Sequence, residues 1–294
     1  MGKNTQRTDL KKYLTKDIII RIDYMPLADS VVDELVANMS SLLFDKYGFS
    51  NVFEGVISSV DVQFNNPEIS NNQSFFNVNN YTKIKSMEIL RFIEKEMYMK
   101  IIINKHFSCI NINSGVKYIP YDKYIEIYKN IIDALYEKNT KIKRIGFRKF
   151  NEFFQKEVDE KNILENLNPH FFEYNYDFIK ENESEMVNDL LTERKYTFEY
   201  NQKQINIITH LSKGLLNMEK IEKVERAAVD IDISINNLEN IKSIVETKSI
   251  KSTLDEINLI IFKVFKNMLS EEFLKKLCGT DDLEDYYIGV NNNE

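Results

Sequence analysis

The run Lys141-Ile142-Lys143-Arg144-Ile145-Gly146-Phe147-Arg148-Lys149 lies at the middle of the 294-residue chain and has the alternating pattern of a β-strand. Successive side chains of a strand point to opposite faces of a sheet. Arg144 and Arg148 therefore share one face with Gly146, whereas Lys149 lies on the other face. On each side of this strand, the hydrophobic pattern predicts the same order of elements: strand, helix, three strands, helix.

This repeated order predicts an α+β fold made of two pseudo-repeated βαβββα units. We expect antiparallel sheets with helices on one face, because clean alternation indicates one dry face. The sheets should join edge to edge or pack, with the basic strand near the centre. The chain then divides into a basic N-terminal arm (1–16), a first half (17–140), a second half (141–277) and an acidic C-terminal tail (278–294).

Three local signals refine the second half. Gly146 inside a strand indicates a bulge or the close approach of another backbone. The helical segment 160–180 is expected to be broken by Pro169. The connection Asn201-Gln202-Lys203 is short enough for a tight turn between two strands.

Charge and cysteine usage exclude several classes of protein. The net charge of −7 argues against a general nucleic-acid binder. Cys109 and Cys278 lie far apart, which is typical of a protein in a reducing cytoplasm. The longest apolar runs, 18–20 and 101–103, are far too short to span a bilayer. We therefore expect a cytoplasmic protein that has no membrane partner.

Sequence motifs for common catalytic and cofactor sites are missing from the chain. It contains no GxGxxG, GxSxG, HExxH or P-loop pattern, so we expect no cofactor. His106 lies close in sequence to Cys109, but a nucleophilic pair also needs a cleft and an orienting third group. The sequence therefore favours a protein that is not an enzyme.

A pattern within the central run resembles that of a known family. The residues are Arg144-x-Gly146-x-Arg148-x-x-Asn151, and an alternating acidic strand (AAVDIDISIN) and an amphipathic helix follow later in the chain. This order is similar to that of a sporadically distributed, uncharacterised bacterial protein family with a mid-chain RxGxRxxN strand. Lys149 stands where that pattern has an aromatic residue. The resemblance implies an α+β fold and a phage-defence or mobile-element context, and it carries over no catalytic residue.

The basic strand supplies the candidate binding residues, which are Arg144, Arg148, Lys149 and Asn151. Two interpretations are open. The arginines can form internal ion pairs with acids on neighbouring strands, or they can bind a phosphate or carboxylate in bidentate fashion. Their position relative to solvent distinguishes the two interpretations.

A second candidate cluster lies on the strand that contains Asp230 and Asp232. Two carboxylates at i and i+2 share a strand face and can hold a divalent ion, with Asp61 as a third ligand. A solvated polar face has the same pattern, and we favour that interpretation over a metal site.

The C-terminal tail combines acidic residues with Tyr286 and Tyr287. Acids followed by aromatic residues are typical of a short docking strand. The tail is expected either to fold back onto its own domain or to dock on another chain.

These observations lead to two functional hypotheses. The first is a non-enzymatic bacterial protein that binds a macromolecular partner, with another protein as the expected partner and nucleic acid disfavoured by the net charge. The second is a sensor or enzyme that binds a phosphorylated ligand or a nucleic-acid end through the basic central strand. The sequence carries no signal for an oligomeric state.

Overall fold

The structure, a computed structural model, describes residues 5–64, 76–93, 97–114, 119–156, 163–172, 188–218, 221–279 and 286–287. Its strands are β1 (Thr15–Tyr24), β2 (Asn51–Phe64), β3 (Phe76–Phe92), β4 (Tyr98–Asn104), β5 (Phe107–Asn113), β6 (Ile142–Lys156), β7 (Asn188–Tyr200), β8 (Lys203–Met218), β9 (Ile221–Ile235) and β10 (Tyr286–Tyr287). Its α-helices are α1 (Asp29–Tyr47), α2 (Tyr121–Glu137), α3 (Pro169–Phe172), α4 (Leu238–Glu246), α5 (Ile250–Met268) and α6 (Glu271–Cys278). Single 3-10 turns occur at Arg7–Asp9 and Ile163–Asn166.

Within these residues the strands form one large antiparallel sheet. The order is β2-β3-β4-β5-β1-β6-β9-β8-β7, and β10 pairs with β6 beside this path. The chain is therefore an α+β protein, and its two halves meet edge to edge where β1 pairs with β6. The basic strand occupies the centre of the sheet, between β1 and β9.

The two halves run outward from this centre in similar orders. One side reads β1-β5-β4-β3-β2 and the other reads β6-β9-β8-β7, so the first half has one strand more than its expected pattern. In the second half, Pro169 begins the short helix α3, because proline suits the first position of a helix. Residues 173–180 of the expected helix lie outside the described residues. That the halves superpose as copies of one unit stays a prediction.

The hydrophobic core lies on one face of the sheet. Ile20 of β1, Ile101 of β4 and Ile231 of β9 point into a single cluster with apolar side chains of α1, α2, α4, α5 and α6. Phe147 of β6 is fully buried there and stacks on Tyr121, with ring centroids 5.9 Å apart. The helices cover this face, and the opposite face of the central strands stays partly exposed.

Local turns follow the expected chemistry. Asn201 and Gln202 both have positive φ values, 48° and 61°, as a two-residue hairpin turn requires. Gly48 ends α1 in the left-handed conformation, with φ of 69°. Each helix in the described ranges is too short or too polar to span a lipid bilayer.

The basic N-terminal arm packs against the C-terminal helices. Leu10 and Leu14 are buried in the core cluster. The main-chain N–H groups of Lys11 and Lys12 donate to the Leu277 carbonyl, over 2.8 and 3.2 Å. Residues 5–14 are thereby tied to α6 at the far end of the chain.

The tail returns to the central strand. The backbone of Tyr286 pairs with Gln155, and that of Tyr287 pairs with Phe154. The last residue pair between β1 and β6 is Thr15 with Asn151, and the tail pairs with β6 just beyond it. The tail therefore contacts its own domain here, and docking of these tyrosines on another chain stays a prediction.

Replacement of Phe147 by alanine tests the position of the core. The side chain is fully buried between the sheet and α2, so we expect Phe147→Ala to lower the free energy of unfolding by about 3–5 kcal/mol. Phe53 is 51% exposed on β2 and serves as the control, for which we expect a change within about 0.5 kcal/mol. Urea unfolding measures both values. Equal losses in the two variants would contradict this assignment of the core.

Candidate functional site

The uncovered face of the sheet brings together charged residues from three adjacent strands. The register places Arg144 of β6 opposite Asp23 of β1. Along the other edge of β6, Arg148 lies opposite Asp232 of β9. Because directly opposed residues share a face, these side chains form one surface across the middle of the sheet.

Arg148 forms the tightest ion pair on this surface. Its Nε donates to Asp230 Oδ1 at 2.9 Å, and its Nη2 donates to Asp230 Oδ2 at 2.6 Å. The hydrogen bond that Arg148 donates to Asp230 raises the pKa of Arg148, as expected for a guanidinium held by a carboxylate. The Asp230 side chain is only 9% exposed, whereas the Arg148 side chain is 46% exposed.

The charge network continues onto β8 and β7. His210 Nδ1 lies 3.6 Å from Asp230 Oδ2, and its Nε2 lies 2.6 Å from Glu193 Oε2. Lys195 Nζ also contacts Glu193, at 2.9 Å. Hydrogen bonds from Lys195 and His210 lower the pKa of Glu193. Opposite charges therefore alternate across the face.

Arg144 contacts its acids more loosely. Its Nη1 lies 3.4 Å from Asp23 Oδ2, and its Nη2 lies 3.4 Å from Asp232 Oδ1. The side chain is 29% exposed. Both contacts are at the long end of hydrogen-bond distances, so Arg144 is held between two acids without a tight bidentate bond.

Gly146 makes room for this arrangement. A Cβ atom on Gly146 would lie 2.8 Å from Arg144 Nη1, so the guanidinium rests over the glycine backbone. The sequence predicted a bulge or a neighbouring backbone at this position. The β1–β6 and β6–β9 registers run through Gly146 without a shift, and the close neighbour is the side chain of Arg144 from the same strand.

Burial acts against the charge on Asp232. Its pKa is raised, first by burial and further by the nearby Asp230, while Arg144 and Arg148 lower it. The arginines therefore compensate only part of the cost of placing a carboxylate here. Asp232 therefore takes up a proton at a higher pH than an aspartate in water does.

Lys149 and Asn151 lie away from the uncovered face. Lys149 is buried, and its Nζ donates to Asn258 Oδ1 of α5 at 3.0 Å. Asn151 is also buried, donates to the Val229 carbonyl at 3.1 Å and accepts a hydrogen bond from Thr15 at 2.8 Å. The four candidate binding residues are thus split between the two sides of the sheet.

The acids of the proposed metal site are engaged by arginines. Asp230 is held by Arg148, and Asp232 lies between Arg144 and Arg148. Across the ranges that the structure describes, no group of three or more His, Cys, Asp or Glu side chains is arranged to hold a metal ion. The side chain of Asp61, the third suggested ligand, lies outside the described residues.

The thiol of Cys109 is unsuited to nucleophilic chemistry. Burial raises its pKa to about 12, so it remains protonated at neutral pH. The thiolate is the reactive form of cysteine. Cys109 is therefore a small buried side chain in β5, although His106 lies near it in sequence.

Sequence reasoning missed Asp23, His210 and Glu193. Asp23 lies 121 residues from Arg144, and His210 contacts Asp230 across β8 and β9, whereas Glu193 contacts His210 within the β7–β8 hairpin. Only the pairing register places them beside the arginines. The alternation of Arg21 and Asp23 in β1 was the available signal, because it put charges on the face opposite the core.

Comparisons with known proteins do not assign a family. No protein-family model matches the chain, and no curated protein matches it. Among solved structures, the S. pombe Pct1 RNA triphosphatase in complex with the Spt5 CTD aligns over 88% of each chain, with 8% sequence identity and a TM-score of 0.16. A TM-score of this size indicates neither a shared fold nor a shared activity.

A double-mutant cycle tests the contact between Gly146 and Arg144. We expect Gly146→Ala to lower the free energy of unfolding by about 1 kcal/mol, because the new methyl group displaces the guanidinium from its acids. In an Arg144→Met background the same change should cost nothing or stabilise the strand, since alanine is the better strand residue. Urea unfolding of the four proteins gives the coupling energy. Additive effects would contradict the proposed contact.

The raised pKa of Asp232 predicts a pH dependence. The folded state takes up this proton at a higher pH than the unfolded state, so this group favours folding increasingly as the pH falls from neutral toward about pH 4. We expect wild type to gain stability relative to Asp232→Asn over that range. Unfolding free energies of both proteins along a pH series measure the difference. A difference that is constant or grows with rising pH would show that the Asp232 pKa is not raised.

Proposed function

We propose that this chain is a non-enzymatic bacterial protein that binds another protein through the uncovered face of its sheet. The observation that carries the proposal is the sidedness of the fold. The helices cover one face of the sheet, whereas Arg144, Arg148 and Asp232 are partly exposed on the other face. Asp230 lies on the same face and is largely buried beneath Arg148. Such a face offers a flat, chemically specific surface at the centre of the molecule.

The charge pattern of this face favours a protein partner. Arg148 is neutralised by Asp230, and Arg144 lies between Asp23 and Asp232. Binding to nucleic acid depends on cations that neutralise phosphates and release counterions. Acids placed beside each arginine oppose that, whereas alternating charges can match a complementary protein surface and set its orientation.

A second candidate function rests on the loose contacts of Arg144. Both of its ion-pair distances are 3.4 Å and its side chain is 29% exposed, so its N–H groups could turn to a phosphorylated ligand or a nucleic-acid end. Asp23 and Asp232 would repel that anion. This hypothesis predicts that inorganic phosphate or a short phosphorylated oligonucleotide raises the melting temperature of wild type and not of Arg144→Met.

The cellular setting belongs to the same proposal. The free thiols of Cys109 and Cys278 favour a cytoplasmic location. The resemblance of the RxGxRxxN strand to a sporadically distributed bacterial family favours a phage-defence or mobile-element context. Repeated occurrence of the gene beside defence or mobile-element genes would strengthen that assignment, and a constant housekeeping neighbourhood would argue against it.

Two charge-neutral double variants test the binding face. Arg148→Gln with Asp230→Asn removes both members of the central ion pair and leaves the net charge unchanged. Lys242→Gln with Glu246→Gln does the same to an exposed pair on α4. We expect the first double variant to lose partner binding in affinity capture from the native host, and the second to retain it. The melting temperatures and circular dichroism of both proteins must stay near those of wild type.

The proposal fails if the two double variants capture the same partners with equal affinity. It also fails if the exposed α4 pair is the one required for capture, because the partner would then bind on the helical side. Recovery of nucleic acid alone would move the assignment to the second candidate.

A further inference from the structure

The buried Lys149 lines a small cavity on the helical side of the sheet. The cavity has a volume of about 30 Å³ and lies between the N-terminal arm, β6 and α5. Its wall includes Arg7 and Tyr13 of the arm, Lys149 of β6 and Phe262 of α5. Most of this wall is apolar, and the Lys149 amine and the Arg7 guanidinium lie in it together.

Lys149 lacks the partner that a buried ammonium group needs. Its Nζ donates to the neutral amide oxygen of Asn258 at 3.0 Å and lies 5.3 Å from the Phe147 ring centroid. Within the described residues, no carboxylate forms an ion pair with it, and the nearby charge is the cation of Arg7. A buried charge without a counter-charge is costly, so the neutral amine is the favoured form.

We propose that Lys149 is a carbon dioxide-binding site, where its ε-amine forms a carbamate beside Arg7. The site is distinct from the uncovered sheet face and does not depend on the function proposed for that face. Geometry favours this electrophile over larger carbonyl compounds, because a cavity of about 30 Å³ holds roughly two water molecules. Carbon dioxide, a linear molecule of three heavy atoms, fits that space.

The reaction needs no oxidant or reductant. The lone pair of Lys149 Nζ attacks the carbon of CO2, a nitrogen–carbon bond forms, and one carbon–oxygen π bond breaks as its electron pair moves to oxygen. The nitrogen then releases one proton to water. One amine and one CO2 molecule thus give one carbamate anion and one proton.

The surroundings of Lys149 are suited to the product. Arg7 Nη2 donates to the Asn258 main-chain carbonyl at 2.8 Å, and its guanidinium lies 5.1 Å from the Phe262 ring centroid. A guanidinium has five N–H donors, and this bond in the described structure uses one of them. Once Lys149 carries the carbamate, the Arg7 cation lies beside an anion instead of a neutral amine. The resulting ion pair ties the N-terminal arm more firmly to β6 and α5.

Protonation competes with carbamate formation, because only the neutral amine reacts. Burial, and then the charge of Arg7, lower the pKa of Lys149 well below its ordinary value. The titratable groups that line the cavity are Arg7, Tyr13 and Lys149, and the side chains that line it from β1 and α5 are uncharged. Asp255 of α5 lies outside this lining and pairs with Lys251 at 3.2 Å. Lys149 should thus react near neutral pH, where an exposed lysine with an ordinary pKa is almost fully protonated.

The test uses the full chain equilibrated with isotope-labelled CO2 and bicarbonate at about pH 7.5. Carbon NMR detects the carbamate, and chemical trapping followed by peptide mapping locates it. We expect one predominant carbamate, at Lys149, which is lost in Lys149→Met and Lys149→Arg and weakened several-fold in Arg7→Met. Lys242→Met, which removes an exposed lysine on α4, should leave the signal unchanged.

Thermal unfolding provides a second readout. The CO2 concentration is set at about ten times the value at which half of the Lys149 side chains carry the carbamate. Under this condition we expect the wild-type melting temperature to rise by roughly 2–4 °C, and that of Lys149→Met to stay constant. If Lys149→Met does not fold, selective trapping at Lys149 in folded but not urea-unfolded wild type decides the question. Absence of trapping at Lys149 in the folded protein overturns the proposal. Equal stabilisation by chloride, with an unmodified amine, would show a simple anion site and would overturn it too.

Discussion

The pairing of β1 with β6 is the contact on which the rest of the structure depends. It joins two sets of strands, each completed by its own hairpins, into one sheet with a single apolar side. The residues that point into the core from these two strands, such as Ile20 and Phe147, are fully buried. Because strand alternation has a period of two, the same register that buries them also aligns Arg144 with Asp23 on the opposite side.

The two sides of β6 have different chemistry for this reason. On the uncovered side, water can reach Arg144, Arg148 and Asp232, so their ion pairs contribute modestly to stability and chiefly fix the orientation of the side chains. On the covered side, Lys149 is buried and has no acidic partner in the described structure. One strand thus presents a balanced charged surface to solvent and a buried amine to the interior.

The sequence predicted what depends on local periodicity. The central strand, the α+β class and the turn at Asn201 all follow from alternation or turn chemistry. The same alternation placed Lys149 on the face of the strand opposite to Arg144 and Arg148. The sequence also predicted the arginines as candidates, and it left open whether they pair with acids or bind a ligand.

What depends on register could not be predicted. Asp23 reaches Arg144 only because β1 and β6 pair with one offset, and His210 reaches Asp230 only through the β8–β9 register. The reason for Gly146 was also hidden, since the group above it is an arginine side chain two residues away. The association of Arg7 with Lys149 requires the N-terminal arm to fold across α5, which no local pattern encodes.

Site-specific photo-crosslinking in the native host tests the central claim most directly. A photoreactive residue in place of Ile208, which lies opposite Asp232 on the uncovered face, is compared with one in place of Leu259, which is exposed on α5. We expect one protein partner to be crosslinked repeatedly from position 208 and not from position 259. Crosslinks to that partner from position 259 alone would contradict the claim, because the binding surface would then lie on the helices.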